Sequence, residues 1–230
     1  MKRLLRRLLV GFLNRLPPDK VLRFLFRLDN WLYYLQGQMA ISYGGGLHTK
    51  HRHMNYHGFF VGRIQADEHV VDIGCGLGAV AYDVAERAGA YVVGIDINAK
   101  SIAKAKARYA HPRVEYRVDD ALQMLPERPF DVVILSNVLE HLPGRSQFLR
   151  NVQTHLQPHR FLIRVPLFER DWRVPLKKEL GVEYRLDPTH EIEYTQEIFA
   201  DEMAEAGLAI THQEIRWGEI WAELAPKHMA

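Results

Sequence analysis

Between Val70 and Asp96, Asp72, Asp96 and the glycines 74, 76 and 78 stand at a spacing that can bind a nucleotide-like ligand. The run Asp72-Ile73-Gly74-Cys75-Gly76-Leu77-Gly78 falls where a short apolar strand gives way to a helix. Glycines there permit positive backbone angles and close approach to a ligand, and a helix N-terminus adds unpaired amides. A dinucleotide loop has the spacing G-x-G-x-x-G and cradles a pyrophosphate. Here the spacing is G-x-G-x-G with the acid Asp72 just ahead of it, which disfavours a pyrophosphate and favours a cationic amino-acid moiety. Asp96 ends the next strand, where a carboxylate accepts hydrogen bonds from both hydroxyls of a ribose. Either acid could instead be a strand-end cap. Cys75, between two glycines and with no neighbouring base, reads as a small filler rather than a nucleophile.

The segments VVDIGCGLG, VVGIDIN, VDDAL, FDVVILSNVLEHL and LQPHRFLI follow one another from Val70 to about Val165. In this order they resemble a class I S-adenosylmethionine-dependent methyltransferase. The resemblance implies a Rossmann-like fold, S-adenosylmethionine as cofactor, and Gly74, Gly76 and Gly78 around its methionine part and ribose. It further implies that Asp96 holds the ribose and that Ile97 packs on the adenine. Asp120 would meet the adenine amino group with Ala121 alongside, and Asn137 would lie beneath the methionine moiety. Asp119 and Asp120 could equally be a solvated pair. One departure is visible: the family's Pro-Gly-Gly turn before the fifth strand is replaced by Pro158-His159-Arg160.

Methyl transfer from a sulfonium is an in-line displacement in which positioning supplies much of the catalysis. A hydroxyl acceptor additionally needs a base, most readily histidine. His141, in Leu139-Glu140-His141-Leu142, is expected at the pocket mouth or as a structural helix-end residue. His190, in Asp187-Pro188-Thr189-His190-Glu191-Ile192-Glu193-Tyr194-Thr195, is expected as base or substrate ligand, the alternative being a hydrogen bond inside its own loop. The stretch Pro166–Lys178 mixes aromatics with four cations and reads as a recognition segment for an anionic acceptor or as an exposed lid. The leading expectation is O-methylation of a small or lipid-linked, glycan-type acceptor. N-methylation of a small amine and a catalytically silent cofactor-binding subunit that recruits a partner are the alternatives.

The elements that must position these residues alternate strand and helix. Strands are expected at Val70–Ile73, Tyr91–Ile95, Val114–Val118, Phe130–Leu135 and Phe161–Val165, with helices at Ala79–Ala88, Ala99–Tyr109 (capped by Asn98) and about Ser146–Leu156. A further helix is capped by Thr195. This pattern calls for a doubly wound α/β fold with a mostly parallel sheet. Leu208–Trp217 and Glu219–Leu224, parted by Gly218, complete it as an antiparallel C-terminal hairpin. Residues 48–230 are expected to form this domain and residues 1–47 an N-terminal helical appendage.

In the appendage, Leu5, Leu8, Leu9, Phe12 and Leu16 recur at helical spacing, with Lys2, Arg3, Arg6, Arg7 and Arg15 around them. This is a basic amphipathic helix. A second helix, Val21–Leu35 with Asp19 as cap, carries apolar or aromatic residues on nearly every face. Residues 1–35 are therefore expected to meet a membrane surface or a partner protein, or to pack on the chain itself. The apolar run Leu8–Leu13 is too short for a secretory or membrane-spanning segment and is read as retained. His48–Ile64 reads as one more helix. Its histidines 48, 51, 53 and 57 lie beside Lys50 and Arg52, which argues against metal, and no metal ligand is expected anywhere.

With 230 residues, 47% of them hydrophobic, the chain can bury one core of ordinary size. A net charge of +2 gives no reason to expect nucleic acid. A single cysteine excludes a disulfide framework and suits a reducing compartment, so the expected location is cytoplasmic, at the inner face of a membrane if the basic helix meets lipid.

Overall fold

The structure is a computed structural model. It describes residues 2–227, and the side chains at positions 2, 4, 5, 6 and 9 lie outside the description. The chain opens with helices α1 (Lys2–Leu13) and α2 (Pro18–Tyr43), then the short helices α3 (Lys50–Met54) and α4 (Tyr56–Val61). Strands and helices then alternate: β1 (His69–Ile73), α5 (Ala79–Ala88), β2 (Tyr91–Asp96), α6 (Ala99–Arg108), β3 (Val114–Val118) and β4 (Val132–Ser136). After a single 3-10 turn, Leu139–His141, come α7 (Arg145–Leu156) and β5 (Arg160–Pro166). A second 3-10 turn, Phe168–Arg170, precedes α8 (Arg173–Glu179), α9 (Gln196–Glu205), β6 (Leu208–Arg216) and β7 (Glu219–Pro226).

The strands form one seven-stranded sheet in the order β3-β2-β1-β4-β5-β7-β6, as the doubly wound reading requires. All neighbours from β3 through β5 are parallel, and β7 pairs antiparallel with both β5 and β6, forming the expected hairpin. Successive residues point to opposite faces. Val71, Val93, Leu135 and Phe161 therefore feed one buried cluster, while Val70, Val92, Val132 and Leu162 feed the other. Strand order reverses between β1 and β4, and ligands in such sheets bind beyond the carboxyl ends at that point.

Two expectations about the first helices need correction. α2 begins with Pro18 as its first residue, a position that loses nothing by lacking an N–H, so Asp19 lies inside the first turn instead of capping it. The helix also runs on to Tyr43, because the single Gly37 costs only about 1 kcal/mol and does not end it. His48–Ile64 is not one helix: Asn55 adopts a left-handed conformation (φ 50°) between α3 and α4. Asparagine tolerates that geometry, and the turn delivers Tyr56, Phe59 and Phe60 into the sheet's core cluster. The expected faces of α1 that depend on Lys2, Leu5, Arg6 and Leu9 lie outside the described residues.

Two compact units emerge from the chain's contacts. One holds the residues up to His53 together with Asp171–Pro188, and the other holds Met54–Arg170 with the residues from Thr189 onward. Inside the first, Phe26 of α2 is buried against Leu180 and Val182, with Leu22 and Leu176 beside them. Asp29 accepts from Arg173 at 3.2 Å and from Lys177 at 2.7 Å, and Lys177 also donates to Asn30 at 2.7 Å. Two cations of the supposed anion-recognition stretch thus have partners within their own unit, and Arg170 pairs with Glu193 in the other.

The sheet unit contains a buried ion pair. Arg164 on β5 donates two hydrogen bonds to Glu219 on β7, at 2.5 and 2.7 Å, with its guanidinium 3.9 Å from the Tyr56 ring centre. Trp221 donates to the same carboxylate at 2.9 Å. Removing one partner of such a pair leaves the other charge uncompensated in a medium that cannot solvate it. Glu219→Ala is expected to cost about 3–5 kcal/mol in urea unfolding, with Arg164→Met added to it recovering much of the loss. An unchanged unfolding midpoint for Glu219→Ala would contradict this.

Candidate active site and cofactor pocket

The glycine loop leaves β1 and is pinned to β2. The amides of Gly74 and Cys75 both donate to the Ile95 carbonyl, at 2.8 and 3.0 Å, and that of Gly78 turns back to the Cys75 carbonyl at 2.9 Å. All three glycines have positive φ, at 71°, 53° and 81°. A Cβ on Gly78 would lie 2.6 Å from the Tyr116 ring, and one on Gly74 would lie 2.5 Å from Val138. At Gly76 a Cβ would meet nothing within 4 Å, so this glycine borders open space. Only at Gly76 is the glycine demanded by backbone conformation alone.

Asp72 sits at the end of β1, 1% exposed. Burial foremost, with the Asp96 carboxylate second, pushes its pKa up to about 8 against the opposing pull of a hydrogen bond from the Ala81 amide. Asp96 accepts from the Gly76 amide at 2.8 Å on one oxygen and from the Asn98 amide at 2.7 Å on the other. Each oxygen keeps a second lone pair for a ribose hydroxyl. Asn98 itself caps α6, as expected. Ile97 follows with 71% of its surface exposed, a large apolar side chain held out at the strand end where a planar base can cover it.

Beyond β3, both oxygens of Asp120 are engaged locally, by the Leu122 amide at 3.0 Å and the Gln123 side chain at 2.8 Å. Ala121 is half-buried and lines an open cleft of about 340 Å³ with Leu122, Leu125 and Phe148. At the end of β4, Asn137 is in the left-handed region (φ 57°) and donates its amide to the Arg164 carbonyl at 2.8 Å. Where the family has Pro-Gly-Gly, Gln157 takes the left-handed position (φ 49°) and the amides of His159 and Arg160 share the Asp131 carbonyl.

Among the described residues, the buried side-chain oxygens that lack a hydrogen-bond partner are confined to three residues: Asp72, Asn137 and Glu140. All three stand just at or beyond the carboxyl ends of β1 and β4. An unpartnered buried oxygen costs free energy unless a ligand satisfies it. Asp72 and Asn137 therefore fit the ammonium and neighbouring polar groups of an amino-acid moiety, with Asp96, Ile97 and Ala121 left for the nucleoside.

The third orphan leads to the two histidines. Glu140 and His141 lie in the 3-10 turn after β4, and the Glu140 carbonyl accepts from the Glu191 amide at 2.7 Å, which draws the 189–194 segment alongside. His141 is half-buried, its Nδ1 2.9 Å from the Thr189 hydroxyl. His190 is 4% exposed, and its Nδ1 lies 2.8 Å from the Glu193 carboxylate. The hydrogen bond inside its own loop, weighed above as an alternative, is thus formed. Thr195 caps α9, accepting from the Ile198 amide. Glu140 and Glu193 stand in the motifs quoted above, but the sequence reading gave weight only to the histidines beside them; for Glu193 the available signal was its i+3 spacing from His190.

Residues 70–159 match a family model described as a methyltransferase domain. The ubiquinone biosynthesis O-methyltransferase of Bradyrhizobium diazoefficiens is 30% identical over 166 residues, covering 69% of this chain and 64% of that protein. The protein of the same name from Rhodopseudomonas palustris is 32% identical over the same length, with the same coverage. The chain thus spans a little under two thirds of these curated relatives. Among solved structures, the methyltransferase complexed with the Haloferax volcanii Trm112 activator has a TM-score of 0.64 at 15% identity, covering 78% of this chain and 92% of that one. The magnesium protoporphyrin IX methyltransferase of Synechocystis, solved with bound SAH, has a TM-score of 0.59 at 19% identity, covering 76% and 83%.

Residues 70–159 match a methyltransferase domain, and the sheet that holds them has the Rossmann-like fold of S-adenosylmethionine-dependent methyltransferases.

The Asp72 carboxyl makes a measurable signature. It holds its proton up to about pH 8 in the native protein but ionises near 3.8 in the unfolded chain. The native state therefore binds more protons in that window, and its stability falls as pH rises through it. Asp72→Asn is neutral in both states. Without cofactor it is expected to be more stable than the wild type at pH 8 and flatter in its pH profile. Its affinity for S-adenosylmethionine should drop on the order of ten-fold or more in calorimetry. Wild-type affinity in this variant would remove Asp72 from the cofactor pocket.

Proposed function

We propose that this methyltransferase acts on a hydroxyl oxygen of a small or lipid-linked acceptor. The observation that carries the reading is the buried corner of Glu140, His141 and His190, which begins three residues beyond Asn137 and offers proton-accepting groups next to the expected methionine end of the cofactor. The name of the curated relatives, ubiquinone biosynthesis O-methyltransferase, supports oxygen as the atom modified.

In this reading Asp72 and Asn137 hold the amino-acid end of S-adenosylmethionine, Gly74, Gly76 and Gly78 surround it, and Asp96 holds the ribose. Ile97, Asp120 and Ala121 border the adenine. Bound there, the cofactor supplies a methyl carbon already activated by an adjacent sulfonium. The chain's remaining task is to orient the acceptor oxygen in line and to relieve it of its proton. His190 suits that task because Glu193 engages its Nδ1 and His141 flanks it with ring centres 4.6 Å apart.

A methyl-labelled cofactor incubated with lipid extracts and with aqueous small-molecule extracts is expected to give an alkali-stable methyl ether. Label on an amine nitrogen would overturn the oxygen assignment. His190→Ala should lower kcat by about 10²–10⁴-fold while sparing cofactor affinity. Unchanged turnover would take His190 out of the active site.

Residues 1–35 are assigned to an anionic membrane surface. Arg3, Arg7, Leu8 and Phe12 on α1 are exposed, as are Phe24, Trp31, Tyr33 and Tyr34 on α2, which combines cations with the aromatics favoured at bilayer interfaces. Among the described residues no helix is long and apolar enough to cross a membrane. Because Phe26 is part of a buried cluster, the test keeps the helices and reverses charge. Arg3→Glu with Arg7→Glu should reduce flotation with anionic vesicles by about ten-fold or more, at roughly 1 kcal/mol per cation near the surface. Equal flotation of variant and wild type would remove the membrane assignment.

A further inference from the structure

The hairpin that ends the sheet turns on a residue its geometry does not favour. β6 and β7 are joined by Trp217 and Gly218 alone, with Arg216 facing Glu219 across the turn, and both central residues have positive φ, at 55° and 74°. Such a turn matches the twist of the flanking strands, but it asks for asparagine or aspartate ahead of glycine, because positive φ strains a bulky side chain. Tryptophan there costs stability. Burial does not offset the cost: Trp217 is 65% exposed, and among the described residues its indole has neither a hydrogen bond nor a ring partner. Strain held at an exposed aromatic points to a use outside the hairpin itself.

The position of the turn shows what that use is. Pro166 at the carboxyl end of β5 pairs with Glu219 at the start of β7, so the turn stands at the end of the sheet where the glycine loop and Asn137 also lie. β7 is two strands from β4, about 10 Å at the usual strand spacing. The Leu167 amide donates to the Gly218 carbonyl at 2.9 Å, and a Cβ on Gly218 would lie 2.7 Å from that of Arg170. Arg170 pairs with Glu193, whose carboxylate meets His190. The turn is thus fixed to the segments that carry the proposed base.

We propose that Trp217 binds the methyl acceptor, its indole stacking on a six-membered ring of that molecule. An aromatic face is electron-rich and attracts either an offset planar ring or the C–H groups on one side of a saturated ring, so a phenol and a pyranose share the chemistry it recognises. A separation of about 10 Å from β4 is spanned by one such ring with its substituents. The inference rests on the reading of a small or lipid-linked acceptor, and it holds whether oxygen or nitrogen receives the methyl group.

The test uses the full chain loaded with S-adenosylhomocysteine, which has no methyl group to transfer. Catechol, a planar ring, and methyl β-D-glucopyranoside, a saturated one, are titrated separately and followed by saturation-transfer NMR on their ring protons. Saturable binding of at least one is expected, weakened about ten-fold or more in Trp217→Asn and within about three-fold of wild type in Trp217→Tyr. The tighter probe assigns the class of ring. Trp217→Asn also installs the side chain that the turn favours, so its Tm should equal or exceed that of the wild type, with S-adenosylmethionine affinity unchanged. Binding of neither probe overturns the proposal, as does binding undiminished in Trp217→Asn. A lower Tm in Trp217→Asn would make the indole a packing residue and overturn it too. So would reduced flotation of that variant with anionic vesicles at unchanged probe binding, which would assign Trp217 to a bilayer. Methyl label on an amine nitrogen overturns the oxygen reading alone, because the ring contact is read from binding without turnover.

Discussion

The pocket depends on one carbonyl. Ile95, one residue before the end of β2, accepts hydrogen bonds from two successive amides of the loop that leaves β1. That clamp bends the chain sharply enough to require positive φ at Gly74 and Gly76, and it brings Gly78 onto the Tyr116 ring, where no side chain fits. The Gly76 amide is left facing the Asp96 carboxylate, which it meets at 2.8 Å. Loop, strand end and the Asp96 carboxylate are therefore one mechanical unit. A side chain at Gly78 would push the loop off Tyr116 and with it the whole rim of the cofactor pocket.

The electrostatics follow from where that loop places its acid. Asp72 is buried at the end of the central strand, and Glu140 is buried beyond the end of β4. Each has unpartnered oxygen, and burial is the dominant cause of each raised pKa. Leaving a carboxyl group unsatisfied lowers stability, and the cost is offset only when a cation or hydrogen-bond donor arrives. The two acids differ in their surroundings: the Ala81 amide donates a hydrogen bond to Asp72, whereas Glu140 stands beside the imidazoles of His141 and His190.

The unit formed by the first helices and Asp171–Pro188 obeys a different logic. Its small apolar cluster around Phe26 is reinforced by Asp29, Arg173 and Lys177, so the cations there already have protein partners. Among the described residues of α1 and α2, Arg3, Arg7, Phe12, Phe24, Trp31, Tyr33 and Tyr34 are exposed. The Phe26 cluster is closed by Leu176, Leu180 and Val182, from a segment 150 or more positions away.

Much of the methyltransferase domain was legible because its signals are short-range. Alternating apolar runs bounded by glycine marked the strands, Asn98 and Thr195 marked helix starts, and Asp72, Asp96 and the glycines could be read from spacing and charge. Such features act through backbone geometry within a few residues, so sequence order alone determines them. Asn55 escaped because a left-handed asparagine leaves no periodicity signal, and the length of α2 escaped because one glycine is too weak a breaker to define an end. The tertiary structure alone decided that Asp171–Pro188 joins the first helices, that Tyr116 lies under Gly78, and that Glu140 meets His190 with Glu193 behind it. Those pairings join residues tens of positions apart, and no local propensity encodes them: they exist only once β1, β4 and β5 are packed and the loops beyond their carboxyl ends are forced to share one space.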